Sequence, residues 1–226
     1  MSLIVKICGL STEEALDAAL DAGADMVGFV FFPPSPRNIA FDTASKLGAR
    51  VAGRAKKVAL SVDADDELLS RIVDTLAPDL LQLHGRESPE RVAAIKARFA
   101  LPVIKALAIE AKGDFEQMKH YAAAGDWILF DAKAPADATR PGGLGRPFDW
   151  TLLRGALPGV PVMLSGGLDA SNIEEALSIT RVPAVDVSSG VESAPGRKDI
   201  GKIREFVRVA RQAHSRVITD RVMSKP

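Results

Sequence analysis

The chain has 226 residues, 47% of them hydrophobic, with one cysteine and with 29 basic side chains against 29 acidic ones, so its formal net charge is zero. It is long enough to bury a sizeable core in one globular domain, and it contains no apolar tract of the roughly 18 residues that a membrane helix requires. Balanced charge offers no electrostatic footprint for nucleic acid, a single cysteine excludes a disulfide framework or a cysteine zinc site, and the start Met-Ser-Leu-Ile-Val-Lys lacks the pattern of a secretory signal, which makes the cytoplasm the expected compartment.

In chain order, short β-rich runs alternate with longer segments of helical period, the pattern of parallel strands joined by helices. Strands are expected over residues 3–8, 25–31, 57–62, 80–84, 102–106, 127–131, 161–164 and 184–187. Eight such units at this length fit an α/β fold of the (β/α)8 TIM-barrel type, a parallel eight-stranded barrel with outer helices. Ser11-Thr-Glu-Glu14 and Ser171-Asn-Ile-Glu174 read as capping boxes, and Ser88-Pro89 as a cap followed by proline at the first helical position. Residues 134–147 are too rich in Gly and Pro for helix or strand and are expected to form a long loop. The barrel domain is assigned to residues 1–213, and 214–226, with weak apolar patterning, to a frayed tail.

A barrel of this kind does its chemistry at the C-terminal ends of its strands, and the polar clusters of this chain fall there. Cys8, in Lys-Ile-Cys-Gly (6–9), ends the first strand. A lone thiol is more often simply buried, but here a glycine follows it and a helix cap comes soon after, which favours a functional reading. To serve as a base it must ionise, which calls for positive potential or amide donors that lower a pKa starting at about 8.5. Asp131 closes Trp-Ile-Leu-Phe-Asp (127–131), where burial disfavours the charged carboxylate and so keeps a proton available to a general acid. Phe-Phe-Pro-Pro-Ser-Pro-Arg (31–37) is a stiff turn that holds Arg37 near the rim, suited to clamping a carboxylate through two hydrogen bonds. Gln82 and His84 alternate on one strand face.

Alternation also turns Lys6 to the same face as Cys8, toward the barrel interior, and an inward lysine needs a partner. Asp186, between Val185 and Val187 on the eighth strand, is the carboxylate that barrel closure brings beside it.

Three glycine-bearing segments follow the last three strands: Gly142, Gly143 and Gly145; Gly166 and Gly167 after Ser165; and Gly190 after Ser188 and Ser189. Backbone without side chains lets several amide donors converge, and three such segments at consecutive strand ends form the expected phosphate site of a barrel, with a short helix after the last strand aimed at the phosphate. No Walker loop, GxGxxG after the first strand, HExxH or GxSxG is present, so the substrate should be a small phosphate ester.

Lys-Ile-Cys-Gly at 6–9, Gly-Phe-Val-Phe-Phe-Pro-Pro-Ser-Pro-Arg at 28–37, Leu-Gln-Leu-His-Gly at 81–85, Phe-Asp at 130–131, Gly-Gly-Leu-Gly-Arg-Pro-Phe-Asp-Trp at 142–150, Leu-Ser-Gly-Gly-Leu at 164–168 and Val-Asp-Val-Ser-Ser-Gly-Val-Glu at 185–192 together resemble the phosphoribosylanthranilate isomerases of tryptophan biosynthesis. The resemblance runs in order from residue 3 to about 210, and its specificity lies in the first, second and last motifs. It implies an Amadori rearrangement of N-(5′-phosphoribosyl)anthranilate to 1-(2-carboxyphenylamino)-1-deoxyribulose 5-phosphate, with no metal and no organic cofactor. On that reading Asp131 is the acid, Cys8 the base and Arg37 the holder of the anthranilate carboxylate. Gln82, His84 and Asp186 support the substrate, and Gly142, Gly143, Gly145, Gly166, Gly167, Ser188, Ser189 and Gly190 hold its phosphate. The expected partner is a small phosphosugar, with no nucleic acid and no membrane, and the assembly a monomer or a homodimer. Rival readings are another phosphate-binding barrel enzyme, such as indole-glycerol-phosphate synthase, and a non-catalytic phosphate-binding barrel; the former should rely on lysine and glutamate rather than on a cysteine ending the first strand.

Overall fold

A computed structural model describes residues 2–116, 118–133, 142, 147–153 and 159–223, without the side chains of Lys112 and of residues 218–223. Eight parallel strands, β1 (Ile4–Cys8), β2 (Met26–Phe31), β3 (Lys56–Ser61), β4 (Leu80–Leu83), β5 (Val103–Ile109), β6 (Trp127–Ala132), β7 (Val162–Leu164) and β8 (Ala184–Val187), pair in sequence order, and β8 returns to β1 to close the barrel. Closure leaves no strand edge unpaired.

Around the barrel stand α1 (Glu13–Asp21), α2 (Phe41–Val51), α3 (Asp66–Leu76), α4 (Pro89–Phe99), α5 (Met118–Ala124), α6 (Ile173–Thr180) and α7 (Ile200–Met223). Between β6 and β7 the described residues hold a 3-10 turn, Trp150–Leu153. A small hairpin, β9 (Glu192–Ala194) with β10 (Arg197–Lys198), lies between β8 and α7, where Ser-Ala-Pro-Gly by itself looks like one more loop. None of the described helices is long and apolar enough to cross a membrane.

Helix starts follow the local chemistry in two cases of three. Ser88 caps α4, its Oγ accepting from Arg91 N, with Pro89 at the first helical position. At α1 the cap is Thr12 rather than Ser11, its Oγ1 accepting from Ala15 N. At α6 the box does not form: Asp169 Oδ1 takes both Ser171 N and Ser171 Oγ, at 2.7 and 2.6 Å, and Asn172 takes the cap position without a side-chain bond to the helix. A carboxylate two residues upstream outcompetes the helix terminus for the hydroxyl. Helix α7 runs on to Met223; residues 214–223 contain neither Gly nor Pro, so nothing local stops the helix.

Strand alternation divides the barrel interior into levels. Met26, Val58, Leu80, Ile104, Ala106, Leu129, Met163 and Ala184 form an apolar plug with Ile4 packed on it. At the catalytic end Cys8, Val30 and Leu60 make a second, small cluster. Between them, on β1 and β8, the register sets Lys6 opposite Asp186. The alternate residues face outward into the main core beneath the helices.

Candidate active site

One pocket opens at the C-terminal ends of the strands, lined by the cluster of Cys8, Val30, Phe32, Leu60 and Val62 and by Arg37, Gln82, His84, Asp131, Gly142, Ser165, Asp186 and Ser188. Apolar surface together with convergent polar groups suits a ligand with an aromatic part and a sugar part.

Cys8 ends β1, 3% exposed, opposite Gly28 of β2 in the parallel register. A Cβ at position 28 would stand 2.9 Å from Cys8 Sγ, so glycine is what makes room for the sulfur. Beneath it, Lys6 Nζ donates to Asp186 Oδ1 at 2.7 Å, and Ser165 Oγ donates to Asp186 Oδ2 at 3.0 Å. The inward lysine and its carboxylate partner thus lie where alternation and closure put them. Burial works against the Lys6 ammonium, but Asp186 and Cys8 outweigh it and hold the group above its ordinary range. The thiol behaves otherwise than expected. Burial pushes Cys8 up, and the attraction of Lys6 and of Lys198 does not bring it back, in part because Asp186 adds to the rise.

Asp131 sits across the pocket near the end of β6, 4% exposed. Its Oδ1 accepts from Ala132 N at 2.8 Å, and its Oδ2 lies 3.1 Å from His84 Nε2. His84 Nδ1 in turn lies 3.0 Å from Gln82 Nε2. A carboxamide nitrogen only donates, and in this orientation Nδ1 is the ring nitrogen that faces Gln82 and Nε2 the one that faces Asp131. Gln82 Oε1, fully buried, has no partner among the described residues. Gly142 is pressed against this pair: a Cβ there would collide with Asp131 Oδ2 and His84 Nε2. Gly166, at φ +85°, is packed against Asp131 Oδ1 and the backbone of Ala132.

Arg37 reaches the pocket from the turn after β2, its chain lying on Gly9, whose φ of +78° and lack of Cβ leave the space. It is 5% exposed, not a rim residue in solvent, and Glu192 takes its Nε at 2.7 Å and its Nη2 at 2.8 Å. Glu192 also accepts from Lys198 Nζ at 2.9 Å, and Lys198 Nζ donates to Ser188 O at 2.8 Å. Ser188 Oγ donates to Cys8 O at 3.0 Å. Burial raises Glu192, but Arg37 and Lys198 hold its carboxyl below the usual range; burial lowers Lys198, and Glu192 only partly offsets that.

Glu192 and Lys198 were not among the residues expected from the sequence. Glu192 closes the last motif and could have been noticed there; Lys198 carries no sequence signal, because only the β9–β10 hairpin brings it back to the site.

Of the expected phosphate-holding residues, Ser188, Ser189, Gly190, Gly166 and Gly167 lie after β8 and β7, and a 3-10 turn, Ser189–Val191, follows β8. Gly190 is packed against Leu168 O so closely that no Cβ would fit. Gly142 lies at the Asp131–His84 pair, while Gly143 and Gly145 fall outside the described residues.

Comparison with known proteins accords with this geometry. Residues 5–209 match the family model described as N-(5′-phosphoribosyl)anthranilate (PRA) isomerase. A protein of Nitrobacter winogradskyi named N-(5′-phosphoribosyl)anthranilate isomerase is 60% identical over 215 residues, covering 95% of this chain and 96% of its own. The crystal structure of the phosphoribosyl anthranilate isomerase of Thermotoga maritima superposes with a TM-score of 0.83 at 35% identity, covering 93% of this chain and 99% of the other. A further structure of such an isomerase, in complex with reduced 1-(o-carboxyphenylamino)-1-deoxyribulose 5-phosphate, matches with a TM-score of 0.80 at 32% identity, covering 93% and 99%.

Proposed function

The chain belongs to the N-(5′-phosphoribosyl)anthranilate isomerase family, and from that premise we propose how its own residues carry the reaction. The activity is the Amadori rearrangement of N-(5′-phosphoribosyl)anthranilate to 1-(2-carboxyphenylamino)-1-deoxyribulose 5-phosphate in tryptophan biosynthesis. The observation behind the assignment of roles is that a buried thiol, Cys8 at the end of β1, and a buried carboxyl, Asp131 near the end of β6, line the same pocket.

Asp131 gives a proton to the ribose ring oxygen as the C1′–O bond breaks, and the anthranilate nitrogen supplies electrons to form the iminium. Cys8 thiolate removes the C2′ proton, the C–H electrons form the C1′–C2′ double bond, and the iminium nitrogen is neutralised. The resulting enolamine tautomerises to the aminoketone as its hydroxyl releases a proton and C1′ gains one, and the proton taken by Cys8 returns to Asp131 through solvent, so atoms balance without a co-reactant. Burial holds the Cys8 thiol above its ordinary range, so the thiolate, once formed, is the stronger base. The positive iminium forming beside it favours the thiolate at the step that needs it, with Lys6 fixed below.

The anthranilate carboxylate is held by Arg37, itself aligned by Glu192, and the aromatic ring lies on Val30, Phe32, Leu60 and Val62. Gln82 Oε1, without a partner among the described residues, accepts from a sugar hydroxyl, with His84 and Asp186 alongside. Backbone amides around Gly166, Gly167, Ser188, Ser189 and Gly190 bind the phosphate; anchoring both substrate ends orients the reacting carbons between acid and base. Every residue in this reading comes from one chain, so a monomer or a homodimer in the cytoplasm suffices.

The test is turnover of phosphoribosylanthranilate followed by fluorescence in Cys8→Ser and Asp131→Asn. Each should lose kcat by orders of magnitude while binding of the reduced product analogue survives. Near-wild-type turnover in either removes that residue from the mechanism.

A further inference from the structure

Lys105 occupies a strand position that alternation turns away from the barrel interior, since its neighbours Ile104 and Ala106 belong to the interior plug. It lines no part of the pocket, yet its side chain is only 2% exposed. Nζ spends its three protons on Leu83 O at 3.3 Å, Gly85 O at 2.6 Å and Glu87 Oε2 at 2.7 Å. The first two are the carbonyls on either side of His84. Glu87, 3% exposed, closes the clamp from the same side: it accepts from Gly85 N at 3.0 Å and, at 3.0 Å, from Asp63 N of the neighbouring loop.

A buried ion pair is weak evidence for stability, because apolar residues of similar volume often do as well or better. What this pair does that apolar residues cannot is fix both peptide planes that carry His84, the residue whose Nε2 faces Asp131. We infer that Lys105 and Glu87 are positioning residues for the acid half of the site, acting through His84 from outside the pocket. The inference rests on reading Asp131 as the acid.

The experiment compares wild type with the charge-free pair Lys105→Met/Glu87→Gln and with the milder Glu87→Gln, which keeps acceptor capacity at that position. Kinetics are run well below the melting temperature, and the 15N imidazole resonances of His84, assigned with His84→Asn, are recorded on the ligand-free protein. The charge-free pair should lose about tenfold in kcat or more, toward about a hundredfold for a displacement of about 1 Å, with KM changed less than about twofold. Its His84 resonances should leave the wild-type pattern, and Glu87→Gln should move in the same direction by less.

A folded variant with a lowered melting temperature but wild-type kcat and unchanged His84 resonances would make the pair merely structural and overturn the inference. Asp131→Asn is run in parallel. If it turns over like wild type, the reading of Asp131 as acid fails, while the imidazole comparison still decides whether the clamp exists.

Discussion

Lys6 and Asp186 meet across the seam where β8 closes on β1, Nζ to Oδ1 at 2.7 Å, and the pair lies one step of strand alternation beneath the Cys8 sulfur. Both side chains are out of solvent, so the pair cannot be dismissed as a surface bridge of negligible worth.

Asp186→Ala leaves a buried ammonium unpaired, and the protein should lose about 3–5 kcal/mol in urea unfolding. Replacing both partners, as in Lys6→Met/Asp186→Leu, should recover most of that stability but not the activity, since the positive charge under Cys8 is gone. A double variant with wild-type turnover would show that the thiol needs no such charge.

The raised Cys8 thiol predicts a signed pH dependence. Alkylation of Cys8 by iodoacetamide in the free protein should accelerate with pH and inflect above the ordinary thiol value of about 8.5. Stability carries the same sign: the unfolded chain releases the thiol proton near 8.5 and the folded chain keeps it to higher pH, so this group's contribution is full below that value and is lost as pH rises toward the folded one. Cys8→Ser should remove that part of the slope. An alkylation inflection below 8 would mean that the cationic neighbours prevail over burial.

Gly28→Ala adds a methyl 2.9 Å from Cys8 Sγ and 3.1 Å from Cys8 Cα, too close for the sulfur to stay where it is. Overpacking should cost about 1–3 kcal/mol, and kcat should fall more than KM rises, because the base is displaced while the substrate anchors are not. Kinetics together with a crystal structure showing the Cys8 rotamer would check both parts.

Glu192 is held below the carboxylate range by Arg37 and Lys198 against the effect of burial. Its stabilisation is therefore present above the unfolded value of about 4.3 and is lost as pH falls through the lower folded value. Glu192→Gln should flatten the acid side of the stability curve in that window and loosen Arg37, raising KM for phosphoribosylanthranilate. Arg37→Ala should weaken binding of anthranilate-bearing ligands by about 1.5–3 kcal/mol and spare an analogue lacking the carboxylate. Equal loss for both ligands would mean that Arg37 maintains the fold or touches the phosphate.

Much of this protein could be read from order and period. The eight βα units, the strand-end positions of Cys8 and Asp131, and even the Lys6–Asp186 pair follow from alternation and from closure of a parallel barrel, which are local or topological rules. Others needed coordinates. That Arg37 turns to Glu192, that a hairpin returns Lys198 to the thiol, and that Lys105 clamps the backbone around His84 are contacts between segments far apart in sequence. The sign of the Cys8 shift is of the same kind: sequence places a thiol beside a lysine, but whether burial or charge prevails depends on how completely folding removes water from both. Strand period and motif order belong to the chain by itself, whereas long-range pairing and desolvation exist only once it is packed.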